Sequence, residues 1–270
     1  MSKILTILFV LIANSCGDNK LNKVETLSSF RLLAIQTPNP ELTQATGLTV
    51  TARPYISDIN GGGRIIAAVV DGCIDPGISF GAEANCEGNA TKVTTSYSVD
   101  TSTLPLLNSG WGNYTSAIAI PDNIFMGKTA REQFNGVPFI IIFSFSVDGI
   151  VYKSFRRILI TNRTTLNNNP TLSTLLLNGG TIAKPQNGDY LSAVSSGPET
   201  YDYLRVDGIT EARREKMAMA WYVSSGNLDM PKVTASESIR YKSAPPTTQL
   251  LILVVLRDER GGVAVLDSML

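Results

Sequence analysis

The residues of this chain that could do chemistry are marked first by a missing type. Among 270 residues there is no His. That removes Ser-His-Asp and Cys-His catalysis, the commonest metal ligand, and the usual general base near neutral pH. Acid–base work would then fall to paired carboxylates or a Ser-Lys pair. The carboxylate candidates are Asp71 and Asp75, Asp202 and Asp207, and Asp258 with Glu259. A glycosidase pair must flank its bond at about 5–9.5 Å, which spacing along a chain does not establish. Asp beside Gly or Pro is ordinary turn chemistry, and that reading outweighs the catalytic one at each position. No catalytic residue and no cofactor is expected, and the chain is not expected to be an enzyme.

Binding chemistry is sparse too. Asp58, Asn60 and Gly61 look like the first half of an oxygen-rich calcium loop, but no Glu closes it at the required spacing, so no metal is expected. Gly61, Gly62 and Gly63 lack the downstream Lys-Ser/Thr of a phosphate loop and read as a hairpin turn. There are 23 basic and 23 acidic residues. With Arg156-Arg157 and Arg213-Arg214 as isolated, solvated pairs, nothing clusters enough cations to hold nucleic acid. Trp221 reads as a core plug between sheets. Tyr201, Tyr203 and Tyr222 are also residues to inspect for protein or glycan contacts, and Trp111, in the loop NSGWGN, is the leading candidate, although covering a sheet end is the plainer role. Cys73 and Cys86 flank a Gly-, Asp- and Pro-containing loop (CIDPGISFGAEANC). A disulfide there would contribute about 3 kcal/mol on the chain-entropy account. The alternative is two free, buried thiols.

The elements that must carry these residues begin with a leader. Lys3 precedes the apolar run 4–13 (ILTILFVLIA), then Asn14, Ser15 and Cys16. The run has the length of a signal-peptide core and falls short of the roughly 20 residues of a membrane-spanning helix. Ala13-Asn14-Ser15-Cys16 resembles the lipobox of bacterial lipoproteins. That resemblance implies cleavage after residue 15 and lipid on Cys16, with residues 16–28 as a tether to a membrane. The other reading is an ordinary cleaved leader and a secreted product. Lipid on Cys16 leaves Cys73 and Cys86 as an even pair, suited to an oxidising compartment.

Beyond the tether, period-two alternation dominates. Phe139, Ile141, Phe143, Phe145 and Val147 alternate with Ile140, Ile142, Ser144 and Ser146; Asp148-Gly149 follows, then the run 150–160. Asp-Gly between such runs predicts a two-residue hairpin with positive φ at both turn positions. Further strands are expected over 30–37, 48–55, 65–70, 114–120, 217–222, 249–256 and 263–266. The stretch 210–216 (TEARREK) has helical composition. The polar run 162–170 (NRTTLNNNP) divides the chain. The expected fold class is therefore all-β, with two immunoglobulin-like β-sandwich domains in tandem, 29–163 and 164–270, each with its own core.

Several short segments carry a resemblance across most of this length. FRLLAIQTPNPEL (30–42), NNNPTL (167–172), AWYVSSG (220–226) and VLRDERGGV (255–263) resemble, in turn, the opening strand, the domain junction, the central Trp strand and the last hairpin of bacterial surface lipoproteins built from tandem immunoglobulin-like or PKD-like domains. The first half departs in having no Trp where the second has Trp221. The resemblance implies an address in the cell envelope, at the outer membrane, and sandwich folds, with no catalytic residues to carry over. The function expected is a lipid-anchored adhesion, binding or structural module. The competing reading is a carbohydrate-binding module or carbohydrate-active enzyme, motivated by Trp111.

Overall fold

The computed structural model describes residues 26–270 except 28, 79–82, 104–113, 245 and 247; Cys16 and Trp111 lie outside the described residues. With 52% strand and 4% helix, the fold is all-β.

The first half packs two sheets. One is the three-stranded sheet β1-β3-β6, of Arg31–Gln36, Thr49–Ser57 and Ser116–Ala119. The other has five strands in the order β2-β8-β7-β4-β5, of Glu41–Thr43, Ile150–Thr161, Val137–Val147, Ile65–Ile74 and Val93–Asp100. All pairings are antiparallel except β2 with β8. β3 and β4 alternate buried with exposed or half-buried residues along most of their length, as a sandwich strand with one wet face must. The β7–β8 turn has positive φ at Asp148 (50°) and Gly149 (79°), with Val147 opposite Ile150, so the expected hairpin forms.

β7 is buried on both faces. Phe139, Ile141, Phe143 and Phe145 fill the main core. Ile140 and Ile142 lie under a satellite cluster with Cys73, Ala84 and Cys86, because the disulfide joining those cysteines folds its loop over the sheet. The short helix α1, Ala130–Asn135, was not anticipated. Its signal was present: Thr129 and Glu132 form a reciprocal capping box.

The second half contains β9 to β18. Its sheets run β10-β9-β11-β16 (Gly180–Thr181, Leu172–Leu177, Tyr190–Ser195, Ile239–Arg240) and β15-β14-β17-β18 (Lys232–Thr234, Met217–Val223, Leu251–Asp258, Val263–Met269). A separate ribbon pairs β12 (Thr200–Leu204) with β13 (Thr210–Arg214). The helix expected over 210–216 is thus replaced by a strand. The pairing of Thr200–Leu204 with Thr210–Arg214 around a tight turn overrides the helical composition. Trp221 is fully buried in the second core, as a plug between sheets.

The two cores meet on one strand. Ile252, Val254 and Leu256 of β17 face the second core, while Leu251, Leu253 and Val255 join the first. The segment before β1 is tied across the same seam, since the Leu27 N–H donates to the Val223 carbonyl at 2.9 Å. The two sandwiches therefore share a wall, which the alternating pattern of either half alone does not reveal.

Candidate functional site

The densest buried polar cluster lies where the halves join. Glu41 opens β2, a strand too short to hide a charge by itself, yet it is completely buried. Arg163 and Asn167 come from the segment after β8. Arg260 comes from the β17–β18 turn, and Glu215 from the link between β13 and β14. One Glu41 oxygen accepts from Arg163. The other accepts from Arg260 and from the Asn167 N–H, at 2.8 Å for the latter. Arg260 also reaches Glu215 at 3.3 Å, and Arg163 donates to the Asp202 carbonyl at 2.7 Å. The side chains of both arginines are nearly sealed, at 5% and 6% exposure. Their planes are covered by rings, with Tyr201 4.4 Å from the Arg260 guanidinium and Phe134 5.7 Å from that of Arg163.

Two cations meet two carboxylates here. An arginine does not release a proton at accessible pH, so the cluster has no acid to offer through it. Burial holds the Glu215 carboxyl above its usual range, with Asp258 adding to that and the Glu199 N–H and Arg260 opposing it. Burial, then Glu259, raises the Tyr201 phenol. Beside the cluster is a cleft of ≈ 160 Å³ lined by Thr164, Thr165, Glu199, Thr200, Tyr201 and Asp202 together with the two arginines. The arrangement is suited to fixing geometry, because its two guanidinium groups are held by its two carboxylates, while Nε of each arginine and the Asn167 amide oxygen are buried without a partner.

Asn169 extends the staple. Its amide donates to the Thr37 and Pro38 carbonyls at 2.7 and 2.9 Å and accepts from the Val263 N–H at 2.9 Å. Asn167 reaches Asp258 at 3.2 Å. In the same seam Arg257 donates to the Leu33 carbonyl at 2.5 Å.

The residues singled out from the sequence are not gathered into one site. Asp71 lies in β4, not in a turn, and takes Thr94 at 2.5 Å and Lys92 at 3.4 Å. Asp75 takes Arg157 at 2.5 Å. Asp202 is in β12, and Asp207 meets Arg205 at 3.0 Å. Asp258 ties the β17–β18 turn by accepting from the Gly262 N–H at 2.5 Å. Glu259 accepts from the Tyr201 hydroxyl at 3.4 Å. Asp58 does not face a cation site: its carboxylate is taken bidentately by Arg64 at 2.7 and 2.9 Å. That carboxylate sits over Gly61, where an added Cβ would come within 1.9 Å of it, so Gly61 is required by packing. Among the described residues no group of three or more His, Cys, Asp or Glu is placed to hold a metal. Arg156 also departs from its expected solvated role. Its Nε and Nη2 are sealed without partners, and burial lowers its pKa to about 10.

Glu41, Arg163, Glu215 and Arg260 were not recognised from the sequence as a site. A trace was present, because three of the segments quoted for the family resemblance contain Glu41, Asn167 with Asn169, and Asp258 with Arg260, and those segments meet here.

No family model matches the chain, and no curated protein does. Two solved structures show what it is similar to. A red sea bream transglutaminase aligns at 10% identity over 89% of this chain and 31% of that one, with a TM-score of 0.29. A 1.5-MDa bacterial ice-binding adhesin aligns at 10% identity over 88% of this chain and 64% of that one, with a TM-score of 0.23. The chain thus spans less than two thirds of either protein chain.

Proposed function

We propose that the chain is a non-catalytic adhesion, binding or structural module of the bacterial cell envelope, built from tandem immunoglobulin-like sandwiches and held to a membrane by lipid on Cys16. The observation that carries the non-catalytic part is the junction itself. Its two carboxylates pair with its two arginines across the join of the sandwiches, an arrangement that serves to present a surface at a set orientation. Support for the address is separate. The Cys73–Cys86 disulfide suits an oxidising compartment, and the leader resembles a lipobox. Among the described residues no helix is long and apolar enough to cross a membrane, and several acyl chains on Cys16 would supply attachment.

Labelled palmitate should enter the wild-type protein and be absent from Cys16→Ala; no incorporation in the wild type removes the anchor. Protease shaving of intact cells then separates the cell surface from the periplasmic face. Retention on a glycan array that is lost in Trp111→Ala or Tyr201→Ala would replace this reading with the carbohydrate-binding one.

A further inference from the structure

β5 forms one edge of the five-stranded sheet, and among the described residues its ladder runs to β4 alone. The Thr101 N–H donates to the Arg64 carbonyl at 2.9 Å, which sets the phase of that ladder. Residues 93, 95, 97 and 99 then bond to β4, and the backbone groups of Thr94, Ser96, Ser98 and Asp100 point outward. At Asp100 the outward groups are capped by the Tyr114 hydroxyl, at 3.2 and 2.9 Å. Among the described residues, those of Thr94, Ser96 and Ser98 have no partner.

Edges of this kind are normally blunted by Lys, Pro, a bulge or a cover. Among the described residues β5 has no Pro, bulge or cover over Val93–Val99, and its one Lys, Lys92, stands just before the strand. From Val93 to Val99 it is uncharged and free of Pro and Gly, and its register with β4 is unbroken. The outer face beside it is partly apolar, with Ile65 75%, Val69 38% and Val151 53% exposed.

The sequence of the edge indicates what fits it. When β5 is laid antiparallel on a copy of itself about Ser96, each Ser96 faces its counterpart and each Thr94 faces a Ser98. Lys92, which also reaches Asp71 of its own chain at 3.4 Å, then falls opposite Asp100 of the other copy, whose backbone keeps its Tyr114 cap, and the same opposite-charge pair recurs at the far end. We propose that β5 is a self-association site, at which two copies join their sheets through a twofold axis centred on Ser96. This goes beyond the proposed function, which needs no second copy.

The full chain in detergent micelles should sediment as a dimer. Ser96→Pro removes an N–H that β4 does not use, so it should leave the melting temperature unchanged while weakening association at least tenfold. Lys92→Glu, which faces Asp100 with a like charge, should also weaken it. Opposed Cα atoms in such a pair are about 5.5 Å apart, within disulfide reach. Ser96→Cys alone should therefore cross-link above the wild-type background, and Thr94→Cys alone should not. Thr94→Cys chains mixed with Ser98→Cys chains should cross-link again. A monomeric wild type, an undiminished Ser96→Pro dimer, or Thr94→Cys cross-linking as well as Ser96→Cys would each overturn the proposal.

Discussion

Asp58 and Glu41 are two buried carboxylates, each beside a turn-rich stretch and each held by arginine. They differ in how far the arginine comes along the chain. Arg64 reaches Asp58 from six residues away, inside one loop. Arg163 and Arg260 reach Glu41 from 122 and 219 residues away. The first pair shapes a loop and, through the Arg64–Asp148 pair, ties it to the β7–β8 turn of the same sandwich, whereas the second joins two sandwiches. A local ion pair can form as soon as its turn closes, but the Glu41 cluster exists only once both cores are in place. The identity of the acid therefore says little about its role, and the origin of its partners says most.

The largest test of that contrast is Glu41→Gln. The amide would present donors to guanidinium groups that remain charged. Breaking a buried pair of this kind costs about 3–5 kcal/mol. Denaturant unfolding should show a loss of that order, with the two halves ceasing to melt together. Arg260→Met should do comparable damage by stranding Glu41 and Glu215. If Glu41→Gln melts within a degree or two of the wild type, the staple is not what unites the halves.

Asp58→Asn should cost no more than half as much, because Arg64 is partly exposed and water can replace its partner. Its effect should stay in the first sandwich, with hydrogen exchange rising around residues 57–64 while the second core keeps its protection. A global loss equal to that of Glu41→Gln would erase the distinction between loop pair and junction.

Arg156 sharpens the comparison from the other side. It sits in the same region with Nε and Nη2 unpartnered, and burial disfavours its charge, with Asp258 opposing that and Arg257 adding to it. Replacing a poorly satisfied buried ion by an apolar side chain of similar length is often neutral or stabilising. Arg156→Met is accordingly expected to raise stability by about 1 kcal/mol, opposite in sign to Arg260→Met. The sign of that pair of variants, read from denaturant midpoints, separates an arginine that holds the junction from one merely enclosed by it.

How much of this was legible in the sequence follows the same division. The β7–β8 hairpin, the alternation of β3 and β4 and the Trp221 plug depend on neighbours in the chain, and all are readable there. The seam is not. The unbroken apolar run of β17 announces burial on both sides without naming the second neighbour, which is the first sandwich. β13 misled because its helix-favouring residues are overruled by a partner strand across a turn. Glu41 looked like part of a Pro-rich turn and Arg260 like part of a Gly-rich one. Only folding brings an acid from β2 against a turn more than two hundred residues later.

Glu215 gives the smallest expected effect, one that depends on pH. Burial raises its folded pKa above the ordinary 4.5, so the folded state holds this proton more tightly than the unfolded chain does. Its contribution is most favourable with the proton on, below 4.5, and is progressively lost as pH rises through the raised value. Glu41→Gln strands both arginines, and protonated Glu215 cannot replace the missing charge. Glu215→Gln should instead mimic the protonated form. Its melting temperature should therefore lie slightly above that of the wild type near neutral pH, because the amide avoids burying the charge. The two curves should converge as pH falls toward 4.5. A variant that melts below the wild type near neutral pH would mean that attraction to Arg260 outweighs the burial of Glu215, and that this outer carboxylate belongs with Glu41 as part of the staple.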